Sequence, residues 1–471
     1  MEFLQIVEES RANAQDLVNE AAAAELDAEK EQEEEDCRNE GFQELETFIA
    51  QDTDFAPVSE TNDVSPSEGV YKRIELQDLE LLKQRTNALD KDQRLVVDLG
   101  ITYAKNIVKA RSGKTLPPSA HYIVVQGGAG AGKSHVIDIL SQWMEIILRC
   151  PGDHPNHPYI LKCAFAGTAA AKIEGQTLTS AFNIGFGNKF QSLADKTRDL
   201  KRALLSNLKV LIIDEFSMVK SDMLYQLDLR LREIKQRDDL PFGATSLYLV
   251  GDTLQLSPVK GRYPFQAPIN KSFEMSHALE PLWDLFQPVL LRENHRQGDD
   301  KLFTDILKRI SRGLQTEQDL EILSERIKPT GDPSIPDDAI YIFSENKDVN
   351  KQNEEFLDKI NKPEVLSKAV VKHSTMKNYK PSVERDGSIK GTPLQSILKL
   401  KIGAEVMLTY NIDTCDGLTN GAFGKVLGFD FYQNNTLKFI LIEFCNERVG
   451  RERRTKFIQY QNWCPVKKLP P

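Results

Sequence analysis

Eight residues, Gly127 to Ser134, read GGAGAGKS and fit the spacing G-x-x-x-x-G-K-[ST]. Gly127, Gly128, Gly130 and Gly132, with Ala129 and Ala131 between them, let the backbone curl so that its N–H groups face phosphate oxygens. Lys133 would reach the β- and γ-phosphates of a nucleoside triphosphate, and the Ser134 hydroxyl would hold Mg²⁺. A merely flexible glycine loop is the plainer alternative. It fits poorly, because Ile123-Val124-Val125 reads as a buried strand before the loop and a helix opens after it, adding the positive end of its dipole. About 80 residues on, VLIIDE (Val210–Glu215) is an apolar run ending in two carboxylates. Asp214 would complete the Mg²⁺ shell beside Ser134. Glu215 would orient and deprotonate an attacking water. The two motifs in this order point to hydrolysis of a nucleoside triphosphate.

Three further polar residues stand where they could serve the same site. Gln255 follows the strand-like SLYLVGD (Ser246–Asp252) and could sense a γ-phosphate. The segment RENHRQ (Arg292–Gln297), just past Val289–Leu291, could bring an arginine from a neighbouring domain, whose planar guanidinium matches phosphate; a surface ion pair is the simpler reading of any one arginine. Gln93, at the head of a helix, could read an adenine edge, although alone it looks like a solvated surface residue. Separately, Gly185–Arg202 is basic, with Phe182, Phe186 and Phe190 among Lys189, Lys196, Arg198, Lys201 and Arg202. Such a stretch either stacks bases and tracks phosphates or is an amphipathic helix lying on the core.

These residues need a rigid frame. Apolar runs at 123–125, 159–165, 210–213 and 246–250, separated by helical periodicity, predict an α/β fold with a parallel sheet whose strand ends form the ligand crevice. Helical periodicity from Ile74 resumes after Asp90, and a helix over 301–314 follows, with Leu302, Phe303, Ile306, Leu307 and Ile310 on one side. Tyr341–Phe343 reads as a strand. From Leu398 short alternating strands and glycine turns predict a small β module. The 471 residues suit two or three domains. No apolar run spans a membrane, and the N-terminus does not read as a signal peptide. Six scattered cysteines suit reduced thiols; Cys150, His154, His157 and Cys163 are too irregularly spaced for a convincing zinc site. The net charge of −10 hides a division: residues 1–60 carry 19 acidic and 3 basic side chains, so the rest is mildly basic, at about +6.

The segments GGAGAGKS, LIIDEFSMV, PFGATSLYLVGDTLQLSPV, LLRENHRQ and KIGAEVMLTYNID…GLTNGAFGKV, in that order, resemble the superfamily-one DNA helicases of the petite-integration-frequency (PIF) type. The wording of TAAAKIEGQTLTSAF and DMLYQLDLRLREI also resembles the helicase portion of Helitron-type transposons. The resemblance implies two RecA-like domains with ATP and Mg²⁺ between them, and 5′-to-3′ movement on single-stranded or forked DNA by a monomer in the nucleus or mitochondrion. Roles in repair, recombination and telomere maintenance follow from it alone. It makes Gln93 the adenine contact, Gly127–Ser134 the phosphate loop, Asp214 and Glu215 the magnesium and water-activating pair, Gln255 the γ-phosphate sensor and Arg296 an arginine finger.

The implied organisation is an acidic extension over 1–88 and a first motor domain over 89–290, with a DNA-contacting insertion at about 182–202. The start of a second RecA-like domain follows over 291–396, then an SH3-like β insertion with a basic end over 397–471. Thr179 and Ala166 depart from the residues common in the family's DNA-contacting motifs. HKSQG-like and ALSR-like motifs, the latter supplying a second arginine, are not found between Gly424 and Pro471, so the second RecA-like domain is expected to be incomplete. The expectation is an ATP-dependent DNA helicase, with the alternative of a remnant that binds ATP or DNA without productive unwinding; this chain itself is expected to unwind poorly.

Overall fold

The computed structural model describes residues 71–467, apart from 72, 151, 155, 186–188, 271–280, 297–299, 330–331, 337–338, 369–395, 410–411, 414–415, 420, 434–436 and 458–462. The acidic stretch and the linker expected over 53–70 lie outside the described residues.

Two helices lead into the sheet. Asp78 caps α1 (Leu79–Asn87) by accepting from the Glu80 and Leu81 amides. Asp90 caps α2 (Lys91–Arg111) in a reciprocal box: its carboxylate accepts from the Gln93 amide while the Gln93 side chain accepts from the Asp90 amide. Residues 71–87, which the sequence places in the extension, pack on the motor fold. The Trp143 indole donates to Thr86 Oγ1 at 2.9 Å, Arg85 pairs with Asp138, and the Tyr71 hydroxyl donates to the Ala181 carbonyl.

From there strands alternate with helices: β1 (Tyr122–Gly127), α3 (Lys133–Leu148), β2 (Ile160–Ala164), α4 (Gly167–Lys172), β3 (Gln176–Thr177), α5 (Leu178–Phe182), α6 (Asp195–Leu204), β4 (Val210–Asp214), α7 (Ser221–Lys235), β5 (Ser246–Gly251) and β6 (Gln287–Leu291). They form a six-stranded sheet in the order β3-β2-β4-β5-β1-β6, parallel throughout. Every residue of β2, β4 and β5 is buried, as a sheet covered on both faces demands. Its register aligns the strand ends: Ala164 opposes Asp214, Asp214 opposes Val250, and Gly127 opposes Leu291. Helix α2 lies close against α3 at Gly100, where a Cβ would stand 2.2 Å from Leu140 Cδ1.

The Pro241-Phe242-Gly243 signature proves to be a clamp. The buried Asp228 carboxylate accepts from the Phe242 amide at 2.5 Å and pairs with Arg232. Gly243 has φ +58, and a Cβ there would meet the Leu231 carbonyl oxygen at 2.6 Å. Phe242, Phe286 and Tyr122 then pack ring against ring.

The basic stretch over 185–202 is divided between core and surface, and several of its cations and rings are committed to packing. Phe182 is fully buried, Phe190 lies under the Arg230 guanidinium, and Lys201 is buried with its ammonium on the Tyr71 hydroxyl and the Ala181 carbonyl. Arg202 donates to the Glu233 carbonyl. Lys189 and Lys196 remain exposed, and Phe186 lies outside the described residues.

Beyond β6 the packing thins. Helices α8 (Lys301–Ile310) and α9 (Glu317–Ser324) are joined by a two-pronged Arg309–Asp319 pair. The expected amphipathic helix is there, but only Ile306 of its apolar side is buried; Leu302, Phe303, Leu307 and Ile310 are exposed. Helix α10 (Asn346–Lys359) precedes a two-stranded antiparallel pair, β7 (Val365–Lys368) and β8 (Ile397–Leu400). Tyr341–Phe343 forms no strand, having no partner among the described residues. No second parallel sheet forms among the described residues.

The expected β module is present. Strands β9 (Glu405–Met407), β10 (Phe423–Phe431), β11 (Leu437–Phe444) and β12 (Cys464–Lys467) form an antiparallel sheet in the order β12-β11-β10-β9. Its own core gathers Leu418, Ile442, Phe444, Cys464 and Val466. The buried Asp416 carboxylate accepts from the amides of Glu452 (2.8 Å) and Arg453 (3.1 Å), capping α11 (Arg451–Lys456) from a distant loop. Arg448 pairs with Glu174 at 2.6 Å, and Gly421 lies against Thr168, so the module rests on α4 and the turn that follows it.

Candidate active site

The carboxyl ends of β1, β4, β5 and β6 share one edge of the sheet, and the residues singled out by sequence collect there. The phosphate loop turns with φ +86 at Gly130 and +74 at Gly132. Among the described residues the amides of Ala129, Gly130, Gly132, Lys133 and Ser134 donate to no backbone acceptor, which leaves a row of N–H groups for an anion. A Cβ on Gly128 would meet nothing within 4 Å, so the loop has an open face.

Lys133 folds back on this loop, donating to the carbonyls of Gly127 (2.7 Å) and Gly128 (3.0 Å). Burial lowers its pKa, and Asp252, Glu215 and Asp214, in that order, oppose the shift. Asp214 ends β4 almost fully buried. Burial, and then the neighbouring Glu215 charge, pushes its pKa up to about 6, against the pull of the Glu215 amide, Lys172 and Lys133. Glu215 adopts a left-handed conformation (φ 52, ψ 45). That costs a non-glycine residue about 1–3 kcal/mol and turns the chain sharply away from the strand end. A phosphate-sized row of amides, a lysine, a half-buried serine hydroxyl and two carboxylates make a donor set that fits a nucleoside triphosphate with Mg²⁺.

Gln255 is exposed, and its amide donates to Asp252 Oδ2 at 3.1 Å. Asp252 is the buried hub of this corner, since its other oxygen accepts from Gln126 Nε2 and the Leu254 amide, each at 3.0 Å. Sequence reasoning passed over Asp252, Gln126 and Lys172. Asp252 could have been found by the rule that found Asp214, because it too is a carboxylate directly after an apolar strand.

Gln93 is not a solvated surface residue. It is buried, its side-chain nitrogen donates to the Ala131 carbonyl at 3.1 Å, and a Cβ on Gly132 would stand 2.4 Å from that nitrogen. One N–H and one oxygen lone pair of its amide remain for a base edge. Arg296 follows β6 in a strap that crosses the phosphate loop. The Asn294 side-chain Nδ2 donates to the Ala129 carbonyl, and the His295 backbone amide to the Gly130 carbonyl, both at 2.9 Å. The strap is also paired to α2, through Arg292–Asp92 (2.7 Å) and His295–Asp90 (2.8 Å). Asp90, Glu293 and His295 are the one group of potential metal ligands close together among the described residues, and two of them, Asp90 and His295, already contact each other. The zinc reading fails at Cys163, which is fully buried in β2.

Two family models match this chain. The PIF1-like helicase model covers residues 102–319, and the Pif1 DNA helicase 2B domain model covers residues 388–429. Over those residues the chain matches the PIF1-like helicases. It is 30% identical over 328 residues to the ATP-dependent DNA helicase PIF1 of Saccharomyces cerevisiae, which is 67% of this chain and 34% of that protein. Against the human PIF1 helicase it is 30% identical over 324 residues, 65% of this chain and 44% of the relative. An uncharacterised protein, 030L, of Invertebrate iridescent virus 6 is 28% identical over 383 residues, covering 75% and 68%. The chain therefore spans less than half the length of the yeast and human helicases it matches. Among solved structures, Pif1 helicase from Candida albicans superposes with a TM-score of 0.52 at 23% identity, covering 76% of this chain and 75% of that one. A structure described as two coordinating Pif1 helicases at forked dsDNA gives the same score and identity. At that identity the likeness speaks for the fold, a RecA-like one. The 2B match falls on the β module read from sequence as an SH3-like insertion. The expected monomer gains no support from relatives of this kind.

Proposed function

We propose that this chain binds ATP with Mg²⁺ at the edge of its parallel sheet and couples hydrolysis to 5′-to-3′ movement along single-stranded DNA, opening duplex at forks. The observation that carries the reading is the convergence of Lys133, Ser134, Asp214, Glu215, Gln255 and Arg296 on one sheet edge, with Gln93 beside them. Bound Mg²⁺ would neutralise phosphate charge, held through Ser134 and Asp214. Lys133 would exchange its two loop carbonyls for phosphate oxygens. Glu215 would take the proton of the attacking water, and Arg296 would meet charge developing on the phosphoryl group. DNA as the strand, its polarity, and a nuclear or mitochondrial setting are carried from the resemblance to the PIF1 helicases.

A second reading, retention of nucleotide and DNA without unwinding, is favoured by the exposed apolar side of α8. One experiment separates the two. ATP hydrolysis is measured with and without single-stranded DNA, beside unwinding of duplexes with 5′ or 3′ tails, using Lys133→Ala as control. Stimulated hydrolysis with opening of the 5′-tailed duplex supports the motor; stimulation without opening supports the second reading. Hydrolysis indifferent to DNA and to Lys133 would sink both.

A further inference from the structure

The Asn294 carboxamide sits between two parts of the site that belong to different strands. Its nitrogen donates to the Ala129 carbonyl of the phosphate loop at 2.9 Å. Its oxygen accepts from the Arg296 backbone amide, also at 2.9 Å. One side chain thus joins the phosphate loop after β1 to the backbone of the arginine-bearing strap after β6. We propose that Asn294 is a positioning residue for phosphoryl transfer: it buckles the strap to the phosphate loop and so fixes where Arg296 stands. The assignment rests on the motor reading above, in which Arg296 meets the phosphates.

Three observations support a built junction. The His295 amide adds a parallel hydrogen bond to the Gly130 carbonyl. Gly130 gives the clearance: a Cβ there would lie 2.7 Å from both Arg296 Cβ and Asn294 Oδ1, at a φ of +86 that side chains rarely adopt. The Arg292–Asp92 ion pair and the His295–Asp90 contact cannot do this work alone, because Arg292 and His295 are exposed and exposed polar pairs are weak and screened. They hold the strap near the helix that carries Gln93, while Asn294 sets its register on the loop. An arginine that stabilises a transition state must be placed within a fraction of an ångström, so loosening the buckle should slow the chemical step more than it weakens nucleotide binding.

The test compares the full chain with Asn294→Ala and Asn294→Asp. Aspartate keeps the oxygen that accepts from Arg296 but cannot donate to Ala129. Three quantities are read: single-turnover ATP hydrolysis on saturating single-stranded DNA, affinity for a fluorescent ATP analogue, and amide hydrogen exchange at residues 295 and 296. For Asn294→Ala, hydrolysis should fall about tenfold or more, with affinity within about threefold. Exchange at both amides should quicken by about tenfold. In Asn294→Asp the Arg296 amide should stay protected while the His295 amide opens. Hydrolysis and exchange both within about twofold of the parent would overturn the proposal, as would a loss of affinity as large as the loss of rate. If the parent itself hydrolyses no ATP on DNA, the motor reading fails, and the exchange pattern alone decides whether the buckle exists.

Discussion

Asp252→Asn is the sharpest probe of the corner that holds Gln255. The carboxylate accepts three hydrogen bonds, from Gln126 Nε2, the Leu254 amide and Gln255 Nε2. Asparagine can keep one oxygen facing Gln126 and Leu254, but its amide then faces the Gln255 amide, donor against donor. A hydrogen bond to a charged group contributes about 1.5–3 kcal/mol. Its loss should release Gln255, which is otherwise exposed, and cut single-turnover hydrolysis by about 10- to 100-fold. Lys133 loses its largest compensating negative charge as well, so its pKa should fall further. ATP affinity should weaken less than the rate, since the amides of the loop are untouched. The assay is single-turnover hydrolysis in a double-mutant cycle with Gln255→Ala. If Asp252 acts through Gln255, adding Asp252→Asn to Gln255→Ala should cost little more. Full additivity, or a rate within about twofold of the parent for Asp252→Asn alone, would refute the reasoning.

Replacing Gly100 with leucine forces atoms into a space where even a Cβ would stand 2.2 Å from Leu140 Cδ1, and should destabilise the α2–α3 packing by about 1–3 kcal/mol, read as a lower denaturant midpoint. Asp214 has a pKa raised to about 6, so below that pH Mg²⁺ must displace a proton. Mg²⁺-dependent nucleotide binding should therefore weaken about tenfold per pH unit below 6, and a flat profile from pH 5 to 7 would contradict this. The same raised value means that ionising Asp214 costs the folded chain stability, which falls as pH rises from 3.8 through 6. Asp416→Ala removes the acceptor of two α11 amides and should cost the β module about 1–2 kcal/mol, seen as faster tryptic cleavage after Arg451 and Arg453.

The phosphate loop, Asp214 and Glu215 were legible because their chemistry is bound to strand ends, and strands buried on both faces announce themselves as apolar runs. Asp252 carried the same signal and was overlooked beside Gln255. Gln93 was misjudged as solvated because its burial depends on Gly132, 39 positions along the chain, which only the folded loop brings over it. The basic run over 185–202 left two readings open, because alternating cations and aromatics do not reveal that Lys201 and the nearby Phe182 point inward. Asn294 was invisible, since a bridge between two strand ends has no spacing within one segment. The strand expected at Tyr341–Phe343 had suitable side chains, but a strand exists only where a neighbour supplies hydrogen bonds.

The two buried thiols among the described residues turn the chain into its own folding gauge. Cys163 lies in the middle of the parallel sheet and Cys464 in the core of the β module, and burial holds the pKa of each well above the usual thiol range, that of Cys464 at about 11. Neither should react with an alkylating reagent while its own sheet is closed, whereas the exposed Cys150 and Cys445 should react at once. Counting labels on peptides containing residues 163 and 464 as denaturant rises would report, without any engineered probe, whether the two sheets open as one cooperative body or in succession.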